Sequence, residues 1–193
     1  MLKQDIRADI KTKLSALSKL NIASKSLGII ENLNSISFLT HCQSIGIFIP
    51  TPKEPQILPW ALTAFKSGIH IYAPKIGEDG QYQFQPTSLE NFKKNIDNIL
   101  ESTEPSKKDT IISPEVILVP GQAFDRMGHR IGRGKGHYDM LLNHLPNTPI
   151  KIGLCFSEQL LNHVPSQNHD IPMDIVITEK QTYLTGSFFD SSI

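Results

Sequence analysis

The chain has 193 residues, of which 39% are hydrophobic and 20% charged, enough for one domain of ordinary size with a substantial apolar core. Lysine plus arginine equals aspartate plus glutamate at 19 each, and this balance argues against a protein built mainly to hold nucleic acid.

The charged start MLKQDIRADIKTKL lacks the apolar core of a signal peptide, and no stretch approaches the roughly 20 apolar residues of a membrane span. Two cysteines, Cys42 and Cys155, are too few for a disulfide framework. We expect one cytoplasmic domain over residues 1–193, with no nucleic-acid, membrane or obligate protein partner.

Helical and extended patterns alternate along the chain. Apolar residues from Leu2 to Leu20 recur at steps of three and four, which predicts an amphipathic helix, and a second helix is predicted from about Ser24 to Leu33. The stretch 91–113 is polar and poorly patterned, which predicts a loop with some helix. The other predicted elements are strands at 44–50, 69–74, 115–121, 150–156, 174–178 and 182–185, helices at 58–68 and 138–145, and a hairpin or short excursion around Asp79-Gly80.

Short apolar strands interleaved with helices predict an α/β fold. We expect an open, mostly parallel sheet flanked by helices in three layers, Rossmann-like but without the dinucleotide fingerprint. In such sheets ligands bind beyond the carboxyl ends of the strands. The segment GHRIGRGKGHYD, residues 128–139, follows the strand at 115–121 and runs into the helix at 138–145. Its position makes it the first candidate for a functional site.

The composition of this segment favours phosphate binding. Glycines let the backbone approach a ligand closely, and the start of a helix adds free N–H groups. Only Asp125 and Asp139 are near enough in sequence to offset the positive charge, so an anion is expected between the cations. The alternative is a flexible, solvated basic connector. The cations within ten residues are Arg126, Arg130, Arg133 and Lys135.

Two familiar nucleotide motifs do not fit the segment. A P-loop needs a glycine five residues before its Gly-Lys pair and a hydroxyl residue after it, whereas Gly134-Lys135 has His129 and Gly136 in those places. The spacing of Gly132, Gly134 and Gly136 also misses the dinucleotide fingerprint, whose third glycine comes one residue later.

The longer segment VPGQAFDRMGHRIGRGKGHYDMLL (119–142) resembles the signature of the 5-formyltetrahydrofolate cyclo-ligase family, also called methenyltetrahydrofolate synthetase. The resemblance extends over most of the chain. Lys3 and Arg7 match an N-terminal Lys-x-x-x-Arg, and EPQILP (54–59) falls where the family carries an acidic substrate-binding motif. The segment SEQLLNHVPSQNHDIPMDIVITE (157–179) matches the closing pattern of the family.

The resemblance implies an enzyme that uses Mg²⁺, with ATP as co-substrate, to convert 5-formyltetrahydrofolate into 5,10-methenyltetrahydrofolate, releasing ADP and phosphate. Phosphorylation of the formyl oxygen activates it, the bridge nitrogen attacks the formyl carbon, and phosphate leaves as the ring closes. Such a reaction needs positioned substrates and cations rather than a protein nucleophile. Three positions depart from the family pattern: His137 replaces a usual tyrosine, Ile131 a leucine and Ile57 a threonine.

The resemblance also implies roles for single residues. Arg130, Arg133 and Lys135 are the catalytic candidates. Ile49 and Glu54 are implied to bind the folate. Asp139 and Asp170 are implied to contact Mg²⁺, with Asp174 as a rival to Asp170. The implied ATP-binding set is Lys3, Arg7, Arg130, Gly132, Arg133, Gly134, Lys135, Gly136, His137 and Tyr138.

The residue types alone leave other interpretations open. A non-catalytic α/β sensor domain that binds a phosphorylated metabolite is the alternative function, whereas RNA binding is disfavoured by the neutral charge balance. The structural alternatives are a solvated pair for Lys3 and Arg7, a surface carboxylate for Glu54, a packing role for Tyr138, a helix cap for Asp139 and a turn residue for Asp170. The residues with a structural interpretation are His129, His137, His144, His163 and His169, which lack a zinc spacing, Trp60 and Phe65 on a buried helix face, and Phe188 and Phe189.

Overall fold

The computed structural model describes residues 2–76, 82–87, 111–134, 136–167 and 170–186. In these residues every helix is too short or too polar to cross a membrane. The helices are α1 (Lys3–Ser15), α2 (Lys19–Asn34), α3 (Leu58–Lys66) and α4 (His137–Asn143), with 3₁₀ turns at Ser37–Thr40 and Ser157–Gln159. The strands are β1 (Ser44–Gly46), β2 (His70–Ile76), β3 (Tyr82–Pro86), β4 (Val116–Pro120), β5 (Ala123–Asp125), β6 (Arg130–Ile131), β7 (Ile150–Leu154), β8 (Leu160–Leu161), β9 (Ile175–Ile177) and β10 (Thr182–Leu184).

The main sheet has seven strands in the order β10-β9-β7-β4-β1-β2-β3. The five inner strands are parallel, while β10 and β3 pair antiparallel at the two edges. A small sheet in the order β6-β5-β8 stands beside it. The predicted fold class, a mostly parallel α/β sheet flanked by helices, is therefore confirmed.

Alternate residues of β4 show how the sheet is covered on both faces. Val116 and Leu118 pack in the larger core cluster, which also contains buried residues of α1, α2 and α3. Ile117 and Val119 pack in a second cluster, together with Leu141 and Leu142 of α4. Because successive side chains of a strand point to opposite faces, the two clusters lie on opposite sides of the sheet. This arrangement explains why β4 is apolar at nearly every position.

The prediction of a single helix from Leu2 to Leu20 is wrong at its C-terminal end. The structure ends α1 at Ser15 and starts α2 at Lys19, and both Leu2 and Leu20 are exposed. The break is caused by Ser18, whose Oγ accepts a hydrogen bond from the backbone N–H of Asn21 at 3.1 Å and caps α2. The apolar spacing thus ran across two helices.

Several predicted strands are present but shorter. β1 stops at Gly46, although the Ile47 N–H still bonds the Tyr72 carbonyl at 2.8 Å. The strand at 115–121 is followed by an unpredicted hairpin of β5 and β6, and β6 lies inside the glycine-rich segment. The predicted hairpin is present as antiparallel β2 and β3, with Asp79-Gly80 outside the described residues. Phe188, Phe189 and most of 91–113 also lie outside them.

A cluster of charges ties α2 to the carboxyl ends of β7 and β9. The Lys25 Nζ lies 2.5 Å from Glu179 Oε1 and 2.9 Å from Glu158 Oε1. Ser157 donates to Glu179 from both its N–H and its hydroxyl. Burial by itself would raise the pKa of Glu179, but the hydrogen bonds from Lys25 and Ser157 outweigh it and lower the pKa below its ordinary value of 4.5. Folding therefore favours the ionised carboxylate.

The sign of the resulting pH dependence follows from this lowered pKa. The contribution of Glu179 to stability is complete above pH 4.5 and is lost as the pH falls through the lower pKa of the folded state. We expect Lys25→Met to reduce the free energy of unfolding by about 1 to 3 kcal/mol near pH 7. We also expect a smaller difference between pH 7 and about pH 3 than in the wild type.

Urea unfolding at the two pH values measures both effects. The matched control is Lys13→Met, which breaks an exposed pair with Asp9 and should cost about 0.5 kcal/mol or less. An unchanged acid dependence in Lys25→Met would contradict the assignment.

Candidate active site

A cavity of about 440 Å³ lies beyond the carboxyl ends of β1 and β4. Thr51, Glu54 and their neighbours enter it from the segment after β1, and the glycine-rich segment enters after β6. The predicted site residues that line it are Ile49, Glu54, Arg130, Gly132, Arg133, Gly136, His137, Tyr138 and Asp139. The lining residues that sequence reasoning missed are Phe48, Thr51, Pro74, Tyr82, Pro120 and Gly121.

The hairpin of β5 and β6 positions Arg130 at the base of the cavity. Its guanidinium donates through Nη2 to Asp139 Oδ1 and through Nη1 to the Pro120 carbonyl, and its side chain is 4% exposed. The buried Nε has no hydrogen-bond partner among the described residues. A Cβ at Gly121 would lie 2.6 Å from the Phe124 ring, so only glycine allows the turn from β4 into this hairpin.

The segment from Gly132 to Gly136 bends twice into the left-handed region before α4. Gly134 has φ +101° and Gly136 has φ +66°, a conformation that other residues rarely adopt. α4 then runs from His137 to Asn143 and is shorter than the predicted helix at 138–145. Lys135 lies outside the described residues, so its predicted role stays a prediction.

An ion pair joins the two walls of the cavity. Arg133 Nη2 lies 2.5 Å from Glu54 Oε1 and donates to Thr51 Oγ1 at 2.9 Å. The other oxygen, Glu54 Oε2, accepts from the N–H and the hydroxyl of Thr51. Glu54 is only 6% exposed, so the surface-carboxylate interpretation of this residue is wrong. The Arg133 side chain is half exposed, at 53%.

α1 makes two long-range polar contacts, one with the glycine-rich segment and one with Asp170. Arg7 Nε donates to the Gly132 carbonyl at 2.9 Å, and Lys3 Nζ lies 2.6 Å from Asp170 Oδ2. Both residues are thus engaged in contacts with distant parts of the chain rather than solvated as a surface pair. Lys3, Arg7, Gly134 and Asp170 do not line the cavity itself, although Arg7 is next to Gly134.

The three candidate metal carboxylates lie in different environments. Asp139 bonds Arg130 and does not cap α4, because Gly136 occupies the cap position. Asp170 bonds Lys3 and also accepts the Gln167 N–H at 2.7 Å, as a turn residue does. Asp174 lies just before β9, where it accepts the N–H of Lys151 and pairs with its Nζ at 2.7 Å. This position is at the amino ends of the strands, opposite the cavity.

The residues of the cavity suit a Mg²⁺ ion only if substrate phosphates and water supply most of its ligands. Among the described residues no group of three histidine, cysteine or acidic side chains could hold a metal ion. Mg²⁺ is usually held by one or two carboxylates, substrate phosphates and water rather than by a cage of protein groups. Asp139 lines the cavity and engages Arg130 through Oδ1, so its second oxygen suits such a role.

The aromatic side chains of Tyr82, His137 and Tyr138 line the cavity. The rings of Tyr82 and His137 stack with centroids 4.4 Å apart and an interplanar angle of 26°. The Tyr138 hydroxyl is buried, and no residue in the described part of the chain forms a hydrogen bond with it. Burial, followed by the nearby charge of Glu54, raises the pKa of Tyr138 far above its ordinary value. This phenol therefore stays neutral and remains a donor.

A mostly parallel sheet with a cavity at the carboxyl ends of its strands is typical of α/β proteins that bind ligands there. The chain belongs to the 5-formyltetrahydrofolate cyclo-ligase family, whose model matches residues 1–179. The resemblance stated from the sequence is therefore confirmed. The chain is an enzyme, and the non-catalytic sensor is set aside.

Relatives match along nearly the whole chain. The mouse 5-formyltetrahydrofolate cyclo-ligase is 28% identical over 195 residues, which cover 92% of this chain and 93% of the mouse chain. The NMR structure of Aquifex aeolicus 5,10-methenyltetrahydrofolate synthetase is 25% identical with a TM-score of 0.74, covering 96% of this chain and 94% of that one. A 5,10-methenyltetrahydrofolate synthetase from Mycoplasma pneumoniae, 21% identical, shares the fold with a TM-score of 0.72 over 93% of this chain and 99% of that one.

The Arg130–Asp139 pair is expected to contribute to the free energy of unfolding, independently of any part in catalysis. Asp139→Ala leaves a buried guanidinium without its carboxylate, so we expect the free energy of unfolding to fall by about 2 to 4 kcal/mol. Asp9→Ala is the control, because Asp9 pairs with Lys13 on the exposed face of α1 and should cost about 0.5 kcal/mol or less. Urea titration at neutral pH distinguishes them, and equal losses would show that the Arg130 pair is not a structural contact.

Proposed function

We propose that this enzyme cyclises 5-formyltetrahydrofolate to 5,10-methenyltetrahydrofolate with ATP as co-substrate, releasing ADP and phosphate. The supporting observation is that Glu54 and the glycine-rich segment, which match the two binding motifs of the family, face one cavity and are joined by the Glu54–Arg133 pair. The proposal treats residues 1–193 as one catalytic domain that acts in the cytoplasm.

The triphosphate would lie along the glycine-rich segment. Arg130 and Arg133 supply positive charge from the cavity wall, and Lys135 is the third cation of the proposed cradle. The backbones of Gly132, Gly134 and Gly136 allow close approach of the phosphates. Lys3 and Arg7 would add charge from α1, and His137 and Tyr138 would border the nucleotide.

The folate would occupy the wall that carries Glu54 and Ile49. Glu54 is held by Arg133 and Thr51 in the structure, so a phosphate that draws Arg133 away leaves the carboxylate available to the NH groups of the folate ring. Binding of the nucleotide would then favour binding of the folate. Arg133 can make this exchange because half of its side chain is exposed.

The chemistry requires position and charge rather than a nucleophilic residue. The formamide oxygen is a weak nucleophile, so it must be held in line with the γ-phosphorus. Arg130, Arg133 and Lys135 would stabilise the negative charge on the transferred phosphoryl group. The bridge nitrogen then attacks the formyl carbon and loses its proton, the C–O bond to the phosphorylated oxygen breaks, and phosphate leaves. Mg²⁺, held by Asp139 and Asp170, would neutralise phosphate charge.

The proposal is tested by mixing the protein with Mg-ATP and 5-formyltetrahydrofolate. We expect the near-ultraviolet absorbance of the methenyl product to rise while ADP forms in equal amount. Lys135→Ala should lower turnover about a hundredfold or more with little loss of stability, because it removes the positive charge that would stabilise the transferring phosphoryl group. Lys66→Ala, an exposed residue on α3, is the control. Absence of both product and ADP in the wild type would reject the proposal.

The buried Tyr138 hydroxyl gives a second, separate expectation. A buried hydroxyl without a partner destabilises the fold, and at a binding site it is expected to gain a partner when substrates bind. Tyr138→Phe should leave the free energy of unfolding unchanged or raise it by up to about 1 kcal/mol. Its kcat/KM should fall about tenfold. Parallel urea unfolding and steady-state kinetics measure the two effects, and a simultaneous fall in stability would make Tyr138 a packing residue.

A further inference from the structure

The loop that carries Glu54 is folded back on itself by the side chain of Gln56. Gln56 Nε2 donates to the Thr51 carbonyl at 2.8 Å and to the Glu54 carbonyl at 2.7 Å. The Glu54 N–H donates to the same Thr51 carbonyl at 3.0 Å, which closes a turn over residues 51–54. One carboxamide therefore joins the two ends of the turn that brings Glu54 to the cavity.

The sequence of the loop explains why a side chain takes this part. In TPKEPQ (51–56), Pro52 and Pro55 have no backbone N–H, so two of the six residues offer no backbone donor. A proline also disfavours a helical conformation at the residue before it, which here is Thr51 or Glu54. The two N–H groups of the Gln56 carboxamide supply donors that the backbone of this loop lacks.

Gln56 is itself fixed to the core of the protein. Its backbone N–H donates to Ser26 Oγ at 2.9 Å, and Ser26 is a buried residue of α2 whose hydroxyl donates to the Ile22 carbonyl at 2.6 Å. The next residue, Ile57, is fully buried. Because its backbone is held by α2 and by the core, Gln56 can hold the turn in one place.

Lys53 is a second anchor of the same loop. Its Nζ donates to the carbonyls of Ser15 and Leu17, at 3.3 Å and 2.8 Å, where α1 ends. Lys53 is exposed, so water competes for these bonds, whereas Gln56 is half-buried. The bonds of Lys53 also end on α1 rather than inside the turn. We therefore expect Gln56 to hold Glu54 more firmly than Lys53 does.

The Glu54 carboxylate needs this support because one of its partners has to change. Oε2 accepts from the N–H and the hydroxyl of Thr51, and Oε1 lies 2.5 Å from Arg133 Nη2. Under the proposed function, Oε1 exchanges Arg133 for the folate ring. A carboxylate that changes partner without moving must be held by contacts that stay the same, and the turn closed by Gln56 supplies them.

We propose that Gln56 is a positioning residue for the folate: it fixes the turn over residues 51–54 so that the Glu54 carboxylate is in place before the folate binds. This inference rests on the proposed function for the identity of the ligand. Gln56 does not line the cavity that the described residues form, so it acts through Glu54.

The first test compares Gln56→Met with Asn32→Leu in steady-state kinetics. Methionine keeps the length of the glutamine side chain and removes both donors without adding a charge. Asn32 is the matched control, since this half-buried residue of α2 also donates through its amide to a carbonyl, that of Thr178 at 2.8 Å.

Gln56→Met should raise the KM for 5-formyltetrahydrofolate about tenfold. Both kcat and the KM for ATP should change less than about twofold, because Glu54 contacts a part of the folate that does not react. Asn32→Leu and Lys53→Met should change all three constants less than about twofold. An unchanged KM for the folate in Gln56→Met, or an equal rise in the KM for ATP, would overturn the inference.

A double-mutant cycle with Glu54→Gln shows whether Gln56 acts through Glu54. In the wild type, Gln56→Met should lower kcat/KM for the folate about tenfold, and in the Glu54→Gln background it should lower it less than about twofold. A general loss of structure would lower kcat/KM by the same factor in both backgrounds. Equal factors would therefore overturn the inference.

A third measurement needs neither substrate nor turnover. Amide hydrogen exchange reports on the N–H groups of Thr51 and Glu54, which both bond within the turn. They should exchange about tenfold faster in Gln56→Met and at the wild-type rate in Asn32→Leu. Faster exchange, together with a wild type that forms no product, would reject the proposed function and still support Gln56 as the residue that positions Glu54. Unchanged exchange would overturn the inference.

Discussion

Ion pairs between the cavity cations and nearby carboxylates are the interaction on which the rest of this site depends. Arg130 holds Asp139 and Arg133 holds Glu54, so both arginines are kept at one edge of the sheet with their charges balanced by carboxylates. The pairing also costs ligand affinity, since an incoming phosphate must displace a carboxylate from an arginine. Under the proposed function the carboxylate that is displaced is Glu54, which is assigned to folate, whereas Asp139 keeps Arg130 through Oδ1 and offers its second oxygen to Mg²⁺. Under the proposed function, each substrate therefore prepares the contacts of the next.

The two pairs differ in how easily they exchange. Arg130 is buried and also bound to the Pro120 carbonyl, which makes it a fixed positive charge beneath the cavity. Arg133 is half exposed and lines both the cavity and the open hollow beside α1. A fixed cation suits the stabilisation of charge that develops during reaction, because it needs no reorganisation. A mobile cation suits the exchange of partners during binding.

Much of the fold could be predicted from the sequence, because alternating apolar strands and helices follow from side-chain periodicity. The hairpin of β5 and β6 was missed, since a strand of two residues such as Arg130–Ile131 is too short to show a period. The break at Ser18 was missed because the apolar spacing continued through it. Local cap chemistry ended one helix and began another there.

Site residues that belong to a sequence motif could be predicted. Contacts between residues far apart in the sequence could not. The glycine-rich segment was found from its own composition, whereas the burial of Glu54 depends on Arg133, which lies far along the chain. Tyr82 entered the cavity only because β3 returns antiparallel to β2 and brings its ring onto His137. From the sequence, Lys11 cannot be distinguished from other exposed helical lysines. Only the structure shows that it lines the open hollow beside α1.

The contacts of α1 have a consequence for the order in which the structure can be completed. Lys3 meets a partner 167 positions later, and Arg7 meets one 125 positions later. As the ribosome synthesises the chain, α1 emerges early, yet its polar face has nothing to bind until most of the sheet exists. Long-range contacts of this kind form late in folding. The polar face of α1 can therefore complete its contacts only once the chain as far as Asp170 is available.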